Sequence, residues 1–466
     1  MDGLKSKAID GFNDRSDLIS KIESLEKKTA VIPTLESRVH EMKHREKIYR
    51  RNSNIFASVS CIDTSNGRDE KVNGMKTEMD AMRRELEKER VENRQKDVEI
   101  RNLNKKIQKM VECFRDQLTE KDTQIRDLNE VVVDLKGQIR VAVRVREYDI
   151  EQGLSSGFTV LSQNDIKFEQ NSQSNMYRFE HLFQPNVDQS GVFEEIKELI
   201  MCSLHGRNVC LIAYGPTGSG KTFTMRGGST DGPSDGVIPR AIRFLLQQSG
   251  EDLAAIGWKY KFSASFIEVY NEEVFDLLDG RKKLDVKISG SSTSFSSLRK
   301  LPIKSTADVN VLLSLADSQR STASTACNLQ SSRSHAIFQI YVDGSNSNGE
   351  TVQCCLNLVD LAGSERAKES GAQGKQFTEL TNINQSLSIL KKCIRAQMTK
   401  MTYVPYRESK LTVLLREYLG AGSSKTMFVA HINPRDVSET KRTLEFTADL
   451  RSTSIGKASI QTGQKA

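Results

Sequence analysis

The first third of the chain places apolar residues among charged ones with a heptad period. From Met75 through Leu86 to Phe114, apolar side chains recur at steps of three, four and seven. Charged residues flank them on both sides. This spacing predicts an α-helical coiled-coil stalk and neck over residues 75–137. After Phe114 the pattern resumes at Leu118 with a shift typical of a stutter, which locally unwinds a coiled coil.

The seam has two interpretations. It is typical of a parallel dimer, formed with a second copy or with a different chain, and Asn93 on the seam would fix its register. A single amphipathic helix folded back on the globular part would show a similar pattern. The narrow seam and its charged flanks favour the dimer.

The segments around the coiled coil are less regular. We expect a short helical, basic tail over residues 1–51, whose basic helix could contact an acidic surface or simply be solvated. Residues 52–74 are rich in Ser, Asn and Gly and predict a flexible linker. Residues 456–466 predict a disordered C-terminal tail.

From Gln138 onward the pattern changes. β-branched apolar runs such as "NVCLIAY" and "TVQCCLNLVDLAG" alternate with helical stretches such as "GVFEEIKELIMCSLHG". Alternation of this kind predicts an α/β domain over residues 138–455, with a central sheet covered by helices on both faces.

Composition narrows the function classes. The 466 residues carry a net charge of +7, and no apolar run approaches the ~20 residues that span a bilayer. We therefore expect a cytoplasmic protein with neither a membrane nor a nucleic-acid partner. The eight cysteines lack metal-ligand spacing and predict reduced thiols.

The stretch "GPTGSGKT", residues 215–222, supplies the first candidate chemistry. It follows an apolar strand and precedes a helical segment, which is the context of a phosphate-binding loop. Its glycines let backbone N–H groups converge on phosphate oxygens. Lys221 would reach the β- and γ-phosphates, and the Thr222 hydroxyl would bind Mg²⁺.

Two later stretches supply what such a loop lacks. "NLQSSRSH" offers hydroxyls, among them Ser331 and Ser332, that could sense a γ-phosphate or its metal ion. "LNLVDLAGSE" is an apolar strand ending in Asp360, where P-loop enzymes place a second Mg²⁺ contact. Gly363 could turn its backbone N–H onto a γ-phosphate.

Together these motifs resemble the kinesin motor domain. Residues 138–455 contain "AYGPTGSGKTFTM", "SFIEVYNEEVFDLL", "NLQSSRSH", "LVDLAGSE", "NINQSLSIL" and "VPYRESKLTVLL" in the family's order. The resemblance implies a P-loop NTPase fold with a central mixed β-sheet and helices on both faces. Because the motor follows the coiled coil, the arrangement looks like the kinesin-14 group of minus-end-directed motors.

The resemblance also implies an ATP hydrolase with ATP and Mg²⁺ at the site. Arg333 and Glu365 would form a salt bridge that closes the site for hydrolysis. The implied catalytic residues are Ser332, Arg333, Gly363 and Glu365, and the implied metal contacts are Thr222, Ser332 and Asp360. The implied nucleotide contacts are Arg144, Arg146, Phe193, Gly215, Pro216, Thr217, Gly218, Ser219, Gly220, Lys221, Thr222, Phe223 and Ser331.

The family's microtubule face would lie along the helix at "NINQSLS" and the "PYRESKL" region. Tubulin is acidic, so such contacts should weaken with salt. The implied localisation is cytoplasmic, on the microtubule cytoskeleton and its spindle. The candidate basic residues are Lys375, Lys391, Lys392, Arg407, Lys410 and Arg416.

Four positions depart from the family pattern. Glu147 replaces the proline of the strand-1 motif, and Pro216 replaces the usual P-loop glutamine. Gln385 replaces a basic residue on the helix facing tubulin, and Lys391 replaces a glycine. The resemblance implies two switch segments, switch I with Ser331 and Ser332 and switch II with Asp360, Gly363 and Glu365. The phosphate-loop and switch residues remain, so we expect hydrolysis to persist with altered nucleotide affinity.

Three functions therefore compete. A dimeric, microtubule-stimulated ATPase motor fits the intact switch residues best. A non-motile microtubule crosslinker with a weakened nucleotide cycle is the alternative. An unrelated P-loop GTPase is disfavoured, because the chain lacks an "NKxD"-type base-recognition element.

Overall fold

The structure is a computed structural model that describes most of the chain. It covers residues 65–135, 139–147, 157–170, 173–228, 232–289, 292–322, 332–365, 375–420 and 424–451, with isolated helical positions between 37 and 47. The chain divides into two compact units, residues 1–119 and 120–466. The predicted C-terminal tail, most of the basic tail and residues 52–64 of the predicted linker lie outside the described residues.

A long helix, α1, runs over Ser65–Leu135. The linker prediction was therefore wrong for residues 65–74, which are helical. Val72 lies three residues before Met75 and is partly buried like it, so the heptad seam extends one turn further back. That apolar spacing outweighs the low helix propensity of Asn73 and Gly74.

Side-chain exposure along α1 follows the predicted seam. In the first unit Met79, Leu86 and Asn93, spaced seven apart, are only 5–8% exposed. Beyond the predicted stutter, Leu118 and Ile125 are about half exposed, at 50% and 54%. The seam thus presents unburied apolar side chains in its last turns.

The second unit contains fifteen strands among its described residues. Ten form one mixed sheet, in the order β5-β1-β15-β6-β14-β13-β7-β8-β9, with β12 paired to β7. The strands are β1 Ile139–Val145, β2 Phe158–Val160, β3 Asp165–Gln170, β4 Gln173–Arg178, β5 His181–Phe183, β6 Val209–Tyr214, β7 Lys259–Tyr270, β8 Glu273–Asp276, β9 Lys282–Lys283, β10 Val286–Ser289, β11 Ser292–Phe295, β12 Leu301–Ile303, β13 His335–Ser345, β14 Thr351–Asp360 and β15 Lys425–Ile432.

Helices cover the sheet on both faces, together with short 3₁₀ turns at Gly232–Ser234, Tyr406–Glu408 and Arg416–Tyr418. The helices are α2 Gln189–Leu204, α3 Lys221–Arg226, α4 Val237–Gly250, α5 Asp252–Ala255, α6 Thr306–Thr322, α7 Lys375–Met398, α8 Lys410–Leu415 and α9 Val437–Arg451.

Strand β6 shows why two layers of helices are needed. All six of its residues are buried, as in a central parallel strand covered on both faces. Leu211 and Ala213 join the cluster formed with α2, α4 and α6. Ile212 and Tyr214 join the cluster formed with α7, α8 and α9. Side chains alternate between faces along a strand, so one apolar run serves both clusters.

The predicted α/β fold with a mixed sheet between helices is confirmed. Parallel pairing joins β1, β15, β6 and β14, whereas β13, β7 and β8 add on in antiparallel fashion. Within the described part of the chain, no helix has the length and apolar content required to cross a bilayer.

We expect Phe338→Ala to destabilise the second unit strongly. Phe338 is fully buried and meets Phe266 edge to face at 5.2 Å. Removing a buried phenyl ring costs about 3–5 kcal/mol. Urea unfolding followed by circular dichroism measures the loss. Val311→Ala is the control, because Val311 is 66% exposed and should change stability by less than about 0.5 kcal/mol. Equal effects of the two variants would contradict the core assignment.

Candidate nucleotide site

The carboxyl ends of the parallel strands meet at one edge of the sheet. The register pairs Ala213 of β6 with Asp360 of β14, and Arg144 of β1 with His431 of β15. Ligands bind at such an edge in open α/β sheets. A cleft of about 1170 Å³ lies there. It is lined by Arg144, Val145, Arg146, Glu147, Pro185, Asn186, Val187, Asp188, Gln189, Thr217, Gly218, Ser219, Gly220, Lys221, Thr222, Phe223, Pro233, Ser234, Ser332, His431 and Arg435.

The loop between β6 and α3 has the geometry that its glycines predict. Gly215 has φ +148°, and a Cβ there would lie 2.3 Å from the carbonyl oxygen of His431. A side chain at this position would push β15 away from the loop. Gly215 therefore allows the loop to lie against the end of β15.

Lys221 is buried and turned onto its own loop. Its ammonium donates to the carbonyl oxygens of Gly215 and Pro216, each at 2.9 Å. The carbonyl of Pro216 also accepts from the backbone N–H and the hydroxyl of Ser219. The proline gives up an N–H, but its carbonyl holds the loop together. Burial lowers the pKa of Lys221, while Asp360 and Glu365 oppose that shift.

Thr222 and Asp360 form the candidate cation site. The Thr222 hydroxyl donates to Oδ2 of Asp360 at 2.6 Å. The other oxygen, Oδ1, is buried without a hydrogen-bond partner. Burial raises the pKa of Asp360, and Lys221 is the main opposing charge. A hydroxyl beside a buried carboxylate oxygen suits Mg²⁺, a hard cation that prefers oxygen ligands.

The two downstream stretches meet at this edge. The backbone N–H of Gly363 donates to the carbonyl of Ser332 at 3.0 Å. Glu365 accepts from the backbone N–H of Thr217 at 2.8 Å and from its hydroxyl at 2.5 Å. Both stretches therefore touch the phosphate loop or each other. Ser331 lies outside the described residues.

The predicted salt bridge between Arg333 and Glu365 is not formed in this structure. Arg333 pairs with Glu379 of α7 at 3.1 Å. Glu365 is held by Thr217, as described above. Arg333 therefore binds Glu379, and Glu365 binds Thr217, instead of pairing with each other.

His335, at the start of β13, joins the second switch stretch to α7. Its Nδ1 accepts from the N–H of Ala362 at 3.1 Å, so the ring proton is on Nε2 and donates to Ser386 at 2.9 Å. Burial lowers the pKa of His335 to about 3, and burial has the same effect on His431. Both rings are therefore neutral at pH 7.

Of the predicted base-contacting residues, Arg144, Arg146 and Phe223 line the cleft, whereas Phe193 does not. Arg144 donates to Gln189 and Thr224, each at 2.7 Å, and lies 5.4 Å from the centre of the Phe223 ring. Burial lowers the pKa of Arg144 to about 10, so it stays charged at neutral pH. Phe223 is 45% exposed beside the cleft, as a stacking ring requires.

Phe193 was wrongly predicted as a nucleotide contact. It is only 7% exposed and meets Phe244 of α4 at 6.1 Å in the apolar cluster. Its position in α2 turns it toward the core, because Val192, Phe193 and Ile196 form the buried face of that helix. Arg146, by contrast, lies at the cleft and donates to the carbonyl of Gly218.

Sequence reasoning missed several residues of the cleft. Gln189 donates to the Phe223 carbonyl at 2.6 Å, and His431 lies 2.7 Å from the Thr224 hydroxyl. Neither belongs to a phosphate-loop motif. The one available signal for His431 was its place at the end of an apolar strand, "MFVAHI", which reaches the same sheet edge as the loop.

The predicted basic patch is smaller than expected. Lys391 is turned inward, 4.8 Å from the Phe446 ring centre and 5.7 Å from that of Tyr214, so it does not belong to a surface patch. Arg416 is partly buried, 5.8 Å from the Tyr406 ring. In both residues the charged group lies within 6 Å of an aromatic ring centre, a cation–π contact. Arg407, Lys410 and Lys392 are exposed; Lys375 begins α7, but its side chain lies outside the described residues.

The comparisons with known proteins agree on one family. The kinesin motor domain model matches residues 139–453. Kinesin-related protein 2 of Dictyostelium discoideum is 36% identical over 78% of this chain and 49% of its own length. Carboxy-terminal kinesin 2 of Xenopus laevis is 38% identical over 76% of this chain and 59% of its own length. The chain thus spans about half the length of the curated relatives it matches.

Solved structures agree. The C-terminal motor and motor homology domain of Kar3Vik1, fused to a synthetic heterodimeric coiled coil, superposes with a TM-score of 0.68 at 32% identity. That match covers 78% of this chain and 98% of the other. The motor domain of the kinesin-like protein KAR3 of Saccharomyces cerevisiae gives 0.59 at 36% identity, over 67% of this chain and 99% of the other.

We expect Gly363→Ala to impair the site. A Cβ at this position would lie 2.2 Å from the Thr217 hydroxyl and 2.3 Å from a Glu365 oxygen. The methyl group must displace both groups, so ATP turnover should fall at least about tenfold. Steady-state turnover measures the effect. Gly250→Ala is the control, because a Cβ there meets nothing within 4 Å. Unchanged turnover of Gly363→Ala would contradict the role of this close approach.

We also expect stability to fall with acid because of the buried histidines. The pKa of His335 is about 3 when folded and about 6.5 when unfolded. Its stabilising contribution is complete above pH 6.5 and is lost as the pH falls toward 3. Urea unfolding across this range should give a slope steeper by about 1.4 kcal/mol per pH unit than that of His335→Gln. Equal slopes would contradict the neutral buried ring.

Proposed function

Because the chain belongs to the kinesin motor family, whose matched relatives include C-terminal motors, we propose that it is a microtubule-stimulated, minus-end-directed ATPase motor. It couples ATP hydrolysis to movement along microtubules or to their crosslinking. The observation that carries this proposal is the Thr222–Asp360 hydrogen bond beside Lys221, at the edge where Gly363 meets Ser332.

ATP binds with its phosphates on the loop of residues 215–222. Lys221 exchanges the carbonyls of Gly215 and Pro216 for phosphate oxygens, which are stronger acceptors for an ammonium group. Thr222, Ser332 and Asp360 would hold Mg²⁺, which would supply neutralisation of phosphate charge. Catalysis then depends on placement and electrostatics, without a covalent intermediate.

The switch segments respond to the γ-phosphate through one hydrogen bond. The Gly363 N–H now donates to the Ser332 carbonyl. A γ-phosphate oxygen at this place competes for the same N–H, so binding and cleavage change the contact between the two segments. Ser332, Arg333 and Glu365 position the attacking water in this proposal, and Ser331 adds a nucleotide contact.

The base end of the cleft holds the adenine. Phe223 provides an exposed ring, and Arg144 and Arg146 line the same wall. Glu147 also lines it and places a negative charge where a polyphosphate approaches, which lowers nucleotide affinity. Electrostatic repulsion of this kind weakens binding without removing any group needed for cleavage.

The microtubule-binding surface is proposed to include Arg407, Lys410 and Lys392, with Lys375 at the start of α7. Lys392 lies 4.0 Å from Glu408, an exposed pair whose interaction energy is small. Such exposed cations remain available to an acidic partner such as tubulin.

Direction and assembly are proposed from the neck. In the second unit, Ile125 and Leu128 are 54% and 65% exposed, an apolar stripe suited to a partner helix in a homodimer or heterodimer. A different face holds Arg126, which pairs with Asp122 at 2.7 Å and lies 4.6 Å from the Trp258 ring centre. The neck can therefore rest on the motor while its seam pairs with a partner helix. A swing of this helix would move the motor toward the minus end.

The proposed location is the microtubule cytoskeleton, including the spindle.

The first test is ATP turnover by the full chain with and without polymerised tubulin, at two salt concentrations. We expect strong stimulation that weakens at high salt, because the contacts are exposed charges. Nucleotide-insensitive binding of microtubules without turnover would instead favour the non-motile crosslinker.

Lys221→Ala separates the motor from the crosslinker. Loss of the phosphate-binding ammonium should reduce turnover by at least about 100-fold and abolish microtubule gliding. Lys167→Ala is the matched control, because Lys167 pairs with Glu169 on β3, its side chain is 38% exposed, and it does not line the cleft. Microtubule bundling that persists unchanged in Lys221→Ala, with no gliding by the unmodified chain, would exclude the motor.

A further inference from the structure

The carboxylate of Glu379, on α7, holds two partners at once. Its Oε1 accepts from the Tyr270 hydroxyl at 2.7 Å, and its Oε2 accepts from Arg333 at 3.1 Å. Glu379 and Arg333 are only 21% and 17% exposed. Burial, together with the Glu379 hydrogen bond, raises the pKa of Tyr270 to about 12, so the hydroxyl keeps its proton and donates. A single carboxylate thus joins β7, α7 and the segment before β13.

The turn after Tyr270 is held in an unusual conformation. Asn271 and Glu272 have φ of +52° and +61°, in the left-handed region that non-glycine residues adopt only at an energetic cost. The Glu272 carboxylate accepts from the Ser409 hydroxyl at 2.8 Å and from the Lys410 N–H at 2.7 Å, at the start of α8. Asn271 accepts from Asn382 of α7. These contacts offset the strain and fix the turn against both helices.

A second route ties the same segment to β7. The fully buried Glu268 pairs with Arg320 of α6 at 3.3 Å and with Arg281 at 2.9 Å. Arg320 also donates to Ser334 at 2.9 Å. Ser334 therefore has a fixed anchor, whereas its neighbour Arg333 depends on Glu379.

A second carboxylate, Glu365, lies on a segment that is hydrogen-bonded to the one that carries Arg333. The Gly363–Ser332 hydrogen bond places the segments that carry Glu365 and Arg333 side by side. Glu365 is held by the Thr217 N–H and hydroxyl instead. Two alternative ion pairs are therefore open to Arg333, one with Glu379 and one with Glu365.

We propose that Glu379 is a positioning residue that holds Arg333 away from Glu365, so that the state of α7 sets the arrangement of the nucleotide site. The inference rests on the proposed ATPase function. Movement of α7 relative to β7 would weaken the Glu379 pair and release Arg333 to Glu365. In the resting protein the pair keeps turnover low.

The test is basal ATP turnover of the full chain, without microtubules, for Glu379→Gln. The amide keeps the shape of the side chain but removes its charge, so Arg333 is released. We expect basal kcat to rise about fivefold, the factor that corresponds to a partly buried ion pair of about 1 kcal/mol, with KM for ATP nearly unchanged. The stimulation ratio with microtubules should fall by the same factor.

Tyr270→Phe provides an independent variant. It removes only the hydroxyl that orients Glu379, so basal kcat should rise by a smaller factor. Because Tyr270 acts through Glu379, the double variant should match Glu379→Gln alone, which a merely structural role would not produce. Glu273→Gln is the matched control, since Glu273 pairs with exposed Lys283 on the same hairpin and should leave basal kcat unchanged.

Unchanged or lower basal kcat in Glu379→Gln would overturn the proposal, as would independent, additive effects in the double variant. A wild-type chain that hydrolyses ATP but ignores microtubules would overturn the motor function while leaving the basal comparison decisive. Circular dichroism on each variant separates a change in turnover from a loss of fold.

Discussion

The parallel pairing of β6 with β14 and β15 is the constraint on which the site depends. It brings Ala213, Asp360 and the end of β15 to one edge of the sheet. The phosphate loop can then close over that edge only because Gly215 lies against the His431 carbonyl. A shift of the β6–β14 pairing by one residue would turn Asp360 to the opposite face of the sheet and separate it from Thr222. Fold and chemistry are therefore coupled through strand register.

The polar and charged groups at this edge are hydrogen-bonded to one another. Lys221 donates to two loop carbonyls, Thr222 to Asp360, and Thr217 to Glu365. Buried polar groups without partners are costly, so these internal bonds are the expected alternative to bonds with phosphates. Nucleotide binding replaces one set of charge-assisted hydrogen bonds by another. The free energy of nucleotide binding is then a small difference between large contributions. In the proposed function, one additional charge such as that of Glu147 therefore changes the affinity.

Local sequence predicted the parts of the site that depend on local geometry. The spacing of glycines, Lys221 and Thr222 specifies one turn, and the strand ending in Asp360 follows from an apolar run. The burial of Phe193, the inward turn of Lys391 and the Arg333–Glu379 pair were not predicted, because each depends on tertiary packing. Phe193 faces Phe244, Lys391 covers Phe446, and Arg333 meets a helix that starts more than forty residues later. A motif names a residue type at a position, but it does not state which face of a helix is buried.

The helix α7 contributes Lys392 to the proposed microtubule-binding surface and Glu379 to the contacts beside the phosphate edge. Leu387, Leu390 and Ile394 bury one face in the core, so the helix cannot rotate freely without disturbing that packing. Its polar contacts run along its length, from Glu379 and Asn382 in the first turns to Arg395 and Gln397 in the last. In the proposed mechanism, a displacement of the exposed side would move these first turns together with the rest of the helix. Glu379 there contacts the segment whose Ser332 carbonyl accepts from the Gly363 N–H, so in the proposed mechanism a movement of the helix would change this hydrogen bond at the phosphate edge.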